Sequence, residues 1–274
     1  MIVFDIETGP LPWGRLKDLV PPFDEVAAVP DLGPFDPSSV ALGNLKDQAK
    51  IDAKVADARL KHEAAAKSVA MRRDMARNDH VGKFTSKAAL SATTGFVKAV
   101  GLWFEASEHP ILGCVDESIS RDPGQVADEP LHTATYWENE AKLIEFFWGV
   151  VTSNPSHTLV GHNIHGFDLP FLVRRSWILG VDVPEPIWAP GQFGRYFNPR
   201  FIDTMSRWAC GGRDFIKLDE IDRAFGGAGK PDDCTGADFA RLFDNGGDDR
   251  LKALLYLRND LAMTRRVAEW MQLL

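Results

Sequence analysis

Four carboxylates stand where this sequence is otherwise apolar. Asp5 and Glu7 interrupt the Ile, Val and Phe run of MIVFDIETGP, Asp168 lies between Phe167 and Leu169 in LVGHNIHGFDLPFL, and Asp260 falls in LLYLRNDLAMT. Side chains alternate along a strand, so Asp5 and Glu7 share one face, where two like charges repel. Tyr256 and Asp260 are four apart, one turn from each other on a helix. Oxygen-only donors of this kind suit Mg²⁺ or Mn²⁺ rather than zinc. A set of four can hold two such ions, which would activate water and stabilise a leaving oxygen in phosphoryl displacement.

Each acid also has a plainer explanation. Asp5 and Glu7 fit an exposed sheet edge, Asp168 fits the cap or first turn of a helix, and Tyr256 with Asp260 fits an amphipathic coincidence. Their joint occurrence favours the metal, because a first strand, a helix start and a late helix can converge at one end of a sheet. Rival chemistries lack their motifs: there is no G-x-x-x-x-G-K-S/T and no G-x-S-x-G. His162 and His165 flank Asn163, too closely spaced for a helical zinc pair. As titratable groups they are expected to modulate a pH profile near neutrality.

The elements that must position these residues follow from the pattern. Residues 2–8 read as a strand ended by Gly9-Pro10. The Pro-rich stretch from Gly9 to Ser39 reads as a long extended loop. An Ala-, Lys- and Arg-rich segment then predicts helix from about Leu45 to Arg77, broken at most once, with a thin stripe of Ile51, Val55, Ala58, Ala65 and Val69. GFVKAVGLWFE and PILGCVDE read as strands meeting the first one. NEAKLIEFFWGVVT reads as a helix capped by Asn139 and HTLVGHN as a short buried strand. LPFLVRRSWILG is a helix closing on Gly180, and PRFIDTMSRWACG is a strand entering a helix. KLDEIDRAFG and GADFARLF read as short helices, and residues 249–274 as a long one. Antiparallel strands followed by alternating helix and strand predict an α/β domain with a mixed sheet.

The composition is that of a soluble globular chain, with 45% hydrophobic and 26% charged residues among 274. The three cysteines, Cys114, Cys210 and Cys234, are far apart, which suits a reducing cytoplasm. No basic n-region precedes the first strand and no apolar run matches a membrane span, so no membrane partner is expected. A net charge of −8 argues against nonspecific coating of nucleic acid, though not against an enzyme that holds phosphates through metal ions. The charge is uneven, with 11 Lys and Arg against 6 Asp and Glu between Leu45 and Leu90.

FDIET, GHNIHGFDLPFL and YLRND, in that order, resemble the three motifs of the DEDD family of 3′–5′ exonucleases, which has a ribonuclease-H-like (DnaQ-like) fold. Tyr256 stands four before Asp260, and Leu255 occupies the position where the histidine branch has its His. The chain therefore resembles the tyrosine branch, and most of all the stand-alone, family-B-polymerase-like exonucleases that include phage types. FIDTM, KLDEIDRAFG, GK and TGADF are further matches. The likeness covers residues 1–8 and about 95–274, and it implies a single exonuclease domain, 1–274, with a largely helical insertion at about 10–92. It implies Asp5, Glu7, Asp168 and Asp260 as ligands of two Mg²⁺ or Mn²⁺ ions, with Tyr256 orienting the attacking water. It implies release of nucleoside 5′-monophosphates from DNA 3′ ends, single-stranded ends being the expected substrate.

Asn163 and Thr8 match positions that contact the DNA in relatives. ETGPLPW departs from the usual motif and leaves Leu11 or Trp13 to stack on the terminal base. In the insertion, Arg72, Arg73, Lys83 and Lys87 are candidates for phosphate contacts, a solvated helix face being the alternative. An exoribonuclease of the same fold, or a proofreading-like subunit recruited by a DNA polymerase or a recombination protein, are the competing assignments.

Overall fold

The computed structural model describes residues 1–116, 134–184, 198–230 and 234–273. The chain forms two compact units, Met1–Trp13 with Ala88–Leu274, and Gly14–Lys87. In chain order the elements are strand β1 (Ile2–Pro10), helices α1 (Gln48–Lys67) and α2 (Val69–Ala88), and strands β2 (Gly95–Phe104), β3 (Ile111–Val115) and β4 (Ala134–Trp137). Helix α3 (Glu140–Ser153), strand β5 (Leu159–Gly161), helix α4 (Asp168–Leu179), strand β6 (Phe201–Asp203) and helix α5 (Thr204–Trp208) follow. Helices α6 (Leu218–Ala224), α7 (Gly236–Asn245) and α8 (Gly247–Trp270) complete the set.

The described strands form one mixed sheet in the order β4-β3-β2-β1-β5-β6. The first three strands pair antiparallel, while β5 and β6 run parallel to β1. This is the ribonuclease-H-like arrangement expected from the sequence. Alternation along β1 sorts its side chains between two cores. Ile2, Phe4 and Ile6 pack with Leu143, Ile144 and Phe147 of α3 and with Leu169, Leu172 and Val173 of α4. Val3 faces the opposite side, among Phe239 and Phe243 of α7 and Leu254, Leu257 and Leu261 of α8. Asp5 and Glu7 continue that second face, by the strand's period of two.

A buried ion pair ties the larger unit together. Arg175, only 1% exposed, donates to both carboxylate oxygens of Glu140 at 2.8 and 2.5 Å and to the Ala92 carbonyl at 2.8 Å. Glu140 also accepts the Val97 N–H. The start of β2, α3 and α4 are thereby fixed to one another.

Three expectations about elements need correction. The one break the sequence allowed in the long helix falls at Ser68, but its ends differ: it begins at Gln48 behind an Asp47 cap and runs on to Ala88 rather than Arg77. Ser68 Oγ donates to the Ala65 carbonyl, the local competition that makes serine a weak helix former. The Pro-rich stretch is not wholly extended, since single helical turns form at Trp13–Leu16 and Glu25–Ala28, the latter capped by Asp24. β4 had no counterpart in the sequence reading, because four residues are too few for alternation to register.

Within the smaller unit, the stripe on α1 buries none of its residues. Arg73 of α2 instead holds the Pro-rich segment, donating to the Val29 carbonyl and to Asp31, each at 3.0 Å. Arg77 pairs with Glu25, and Phe23 stacks on His80 at 4.9 Å. No helix among the described residues is long and apolar enough to cross a membrane.

Candidate active site

The parallel pairing of β1 with β5 sets up the site. It stops after Val3 and Val160, so β1 runs on past the end of β5 while still paired with β2. The chain leaving β5 turns into α4 there, at the carboxyl edge where open α/β sheets bind ligands. Asp168 is the first residue of α4. It does not cap the helix, as the sequence also allowed. Its Oδ1 accepts the Ile6 N–H at 3.1 Å, and its carboxylate lines one cleft with that of Asp5. A register shift between Glu7 and Thr8 marks a bulge just past the acids, a frequent feature beside functional sites.

Helix α8 comes down on the other side. Asp5 pairs with Gly101 on β2, and a Cβ there would stand 2.5 Å from Leu261 Cδ1. Only a residue without a side chain lets α8 approach this closely. As a result, ligand oxygens of Asp5, Glu7 and Asp260 lie within 4.8 Å of one another. Asp168 lines one cleft with Asp5 and Asp260, so carboxylates from three distant segments come together.

Confinement governs their protonation. Loss of water, then the neighbouring carboxylates, push Asp5 and Glu7 well above the usual carboxylate range. Burial raises Asp168 to about 7, against the pull of the Ile6 N–H. Burial also raises Asp260, although Lys230 acts in the opposite direction.

Lys230 had no role in the sequence reading beyond membership of a GK match. Its Nζ donates to Asp260 Oδ2 and to the Tyr256 hydroxyl, both at 2.6 Å. Burial opposes its charge, but Asp260 and Tyr256 together outweigh burial and the ammonium titrates above the usual lysine range. The buried Tyr256 hydroxyl is likewise pushed up, by burial and then by Asp260 and Glu7, so the phenol is neutral at physiological pH. The start of α7 adjoins both groups: a Cβ at Gly236 would lie 3.6 Å from the Tyr256 hydroxyl and 3.7 Å from Glu7 Oε2.

A cleft of about 420 Å³ opens onto the acids. Asp5, Asp168, Asp260 and Lys230 line its polar side, and Phe167, Met205, Ile216 and Leu218 its apolar side. Asn163 and His162 border it. Asn163 has left-handed backbone, φ 62°, held by the Asp203 carboxylate on its N–H. Asp203 also accepts the His165 N–H and caps α5, a joining role the sequence did not reveal.

Both histidines are held by hydrogen bonds. His162 has both ring nitrogens occupied, by Thr204 Oγ1 and by the Ile216 carbonyl. A carbonyl only accepts, so Nε2 carries the proton. Burial lowers the titration of both His162 and His165 from the ordinary histidine value.

Thr8, Leu11 and Trp13 are not among the residues that line the cleft. The Thr8 hydroxyl donates to the Ala89 carbonyl. Leu11 is buried, which removes it as a stacking residue, whereas Trp13 is 54% exposed. In the smaller unit Arg72 and Lys87 are exposed, Lys83 pairs with Asp79 at 2.7 Å, and Arg73 is committed to Asp31.

Residues 130–265 match a family described as predicted 3′–5′ exonucleases related to the exonuclease domain of PolB. That segment belongs to the PolB-related exonuclease family. No curated protein matches the chain. The matched span carries Asn163, Asp168, Lys230, Tyr256 and Asp260. Asp5 and Glu7 precede it, and the fold brings them onto it. At a coarse level the match supports a nuclease, of the predicted 3′–5′ exonuclease kind that the family's description gives.

Proposed function

We propose that the chain hydrolyses DNA from its 3′ end, one nucleoside 5′-monophosphate at a time, with divalent cations held by Asp5, Glu7, Asp168 and Asp260. One observation carries the reading. Asp260 Oδ1 is buried without a hydrogen-bond partner among the described residues, within a helix that delivers it to two other carboxylates. Burying a charged oxygen unpartnered is costly, and a cation among three acids offsets that cost. Hard oxygen donors fit Mg²⁺ or Mn²⁺, and four carboxylates suit two ions. When bound, such ions supply Lewis acidity and lower the pKa of water.

The remaining chemistry belongs to side chains of this chain. Tyr256, kept neutral, cannot serve as the base. Its hydroxyl accepts from Lys230 and retains its own proton to orient water. Lys230 places a fixed positive charge beside the acids, where negative charge develops on a phosphate in the transition state. The apolar wall of Phe167, Met205, Ile216 and Leu218 offers a surface for the terminal base. Tyr256→Phe is accordingly expected to lower kcat by roughly 10²-fold with little change in KM, as loss of an oriented hydrogen bond does. Steady-state kinetics on an oligonucleotide check this, and an unchanged kcat would remove Tyr256 from the mechanism.

The exposed Arg72 and Lys87 are proposed to meet phosphates of the incoming strand. Replacing both by Glu should reduce the slope of log Kd against log salt by about 2, near one per cation. Hydrolysis of a dinucleotide should be unaffected. A slope identical to that of the unaltered chain would leave the helix face merely solvated.

The function itself is tested with 5′-labelled single-stranded DNA, matched and mismatched duplex, and RNA, each with Mg²⁺ or Mn²⁺. A ladder of 3′-shortened products on DNA supports the proposal. A ladder on RNA alone transfers it to an exoribonuclease, and tight DNA binding without cleavage makes the chain a binding subunit.

A further inference from the structure

We infer that Asp222 and Arg266 are positioning residues that hold Lys230 at the acids, an inference resting on the nuclease reading above. Lys230 ends a glycine-rich run, Phe225–Lys230, that leaves α6. A lysine at the end of such a run has many conformations to lose, both in its stem and in the glycines before it. Something must fix the run for the ammonium to rest on two acceptors.

Asp222 does so. It is 1% exposed, and the loop wraps over it. Its carbonyl accepts the Gly227 N–H at 2.8 Å, and its Oδ2 accepts the Gly229 N–H at 3.0 Å. A Cβ on Gly227 would stand 2.1 Å from Asp222 Oδ2, so only glycine lets the backbone pass this close. Gly229 has φ +75°, the left-handed region, and a Cβ there would stand 2.5 Å from Arg223 Nε. The residue immediately before Lys230 is therefore bound to the Asp222 carboxylate in a backbone shape that glycine favours.

Arg266 fixes the carboxylate in turn. Its Nε and Nη2 donate to Asp222 Oδ1 and Oδ2, both at 3.0 Å, in a two-pronged fork. Arg266 lies on α8, the helix that carries Tyr256 and Asp260. The loop is thus fastened to α8 at two points, by Arg266 through Asp222 and by Lys230 through its own acceptors. Simple cementing of α6 to α8 is the competing role, and the packing of Leu218 and Ile221 against Met263 and Val267 already supplies it.

The test combines lysine acylation with kinetics. The protein and its Asp222→Asn and Arg266→Gln variants are treated with a water-soluble succinimidyl ester, and labelling is measured at Lys230, Lys142 and Lys252. Labelling of Lys230 is expected to rise about tenfold in both variants, the scale of outer-shell effects, with Lys142 and Lys252 unchanged. On a single-stranded oligonucleotide with Mn²⁺, kcat should fall about tenfold while KM holds. Arg266→Lys should restore part of it. Added to Lys230→Ala, Asp222→Asn should cause no additional loss, because residues acting through one another are not additive. Unchanged Lys230 labelling overturns the inference, as do losses that multiply in the double variant. Arg266→Gln leaves Asp222 its backbone partner, so it stands in if Asp222→Asn does not fold. Should the unaltered protein degrade no nucleic acid, the nuclease reading fails, and Lys230 labelling alone decides the positioning role.

Discussion

Asp5→Asn is expected to lower the rate of 3′-end hydrolysis on the order of 10³-fold, while the metal-free protein melts no lower than the unaltered one. The two halves of this expectation have one cause. Asp5 lines one cleft with Asp168, and its ligand oxygen lies within 4.8 Å of oxygens from Glu7 and Asp260. Asparagine keeps the shape and removes one negative charge from a group of four. A cation then loses a charged ligand, and catalysis suffers. Without a cation the same change relieves repulsion between like charges. A residue important only for packing would do the reverse, lowering stability in step with activity. Calorimetry at pH 8 in chelator, beside a kcat on labelled oligonucleotide, separates the cases. Near-normal hydrolysis by Asp5→Asn would remove this residue from the reaction.

The second large effect is on stability. In chelator, the protein should lose thermal stability as pH rises from about 4 to about 8. Asp168 titrates at about 7 in the folded chain, against roughly 4 for an unfolded aspartate. Asp5, Glu7 and Asp260 shift in the same direction. Between the unfolded and folded values the native state binds more protons than the unfolded one. Stability therefore falls with rising pH, the reverse of the behaviour of salt-bridged carboxylates. The loss should be on the order of 5 °C in Tm. Mn²⁺ competes with those protons. At saturation it should raise Tm by roughly 5–10 °C at pH 8 and hardly at all at pH 5. Melting curves at both pH values, with and without Mn²⁺, are the check. An equal rise at the two pH values would mean that the ion binds somewhere other than these acids.

The acids were legible because each breaks a local rule. A D-x-E in an apolar strand and an aspartate amid Phe and Leu conflict with their surroundings, and such conflicts gather at functional sites. Helix geometry put Tyr256 and Asp260 on one face, but that spacing alone also fits an amphipathic coincidence; the other three acids gave the pair its meaning. The fold followed from periodicity wherever a segment was long, as in β2, α3 and α8. β4, with four residues, was too short to show a period. Ser68 broke the long helix through one side-chain bond to Ala65, a choice between neighbouring conformations that composition does not decide.

Lys230 was hidden for a different reason. Its partners lie 26 and 30 residues further along, across two helices, and nothing local marks a lysine in a glycine-rich turn as half-buried. The same holds for Asp222 and Asp203, whose roles consist of bonds to backbone groups that only the folded chain brings near. Leu11 was misjudged because an apolar residue after a strand looks equally suited to stacking on a base and to filling a core.

The most direct test of the account is anomalous diffraction from crystals of the unaltered protein soaked in Mn²⁺ near pH 8. Manganese peaks are expected among the carboxylates of Asp5, Glu7, Asp168 and Asp260, with Asp260 Oδ1 as a ligand. Soaked crystals with those oxygens unliganded and manganese bound only elsewhere would contradict it.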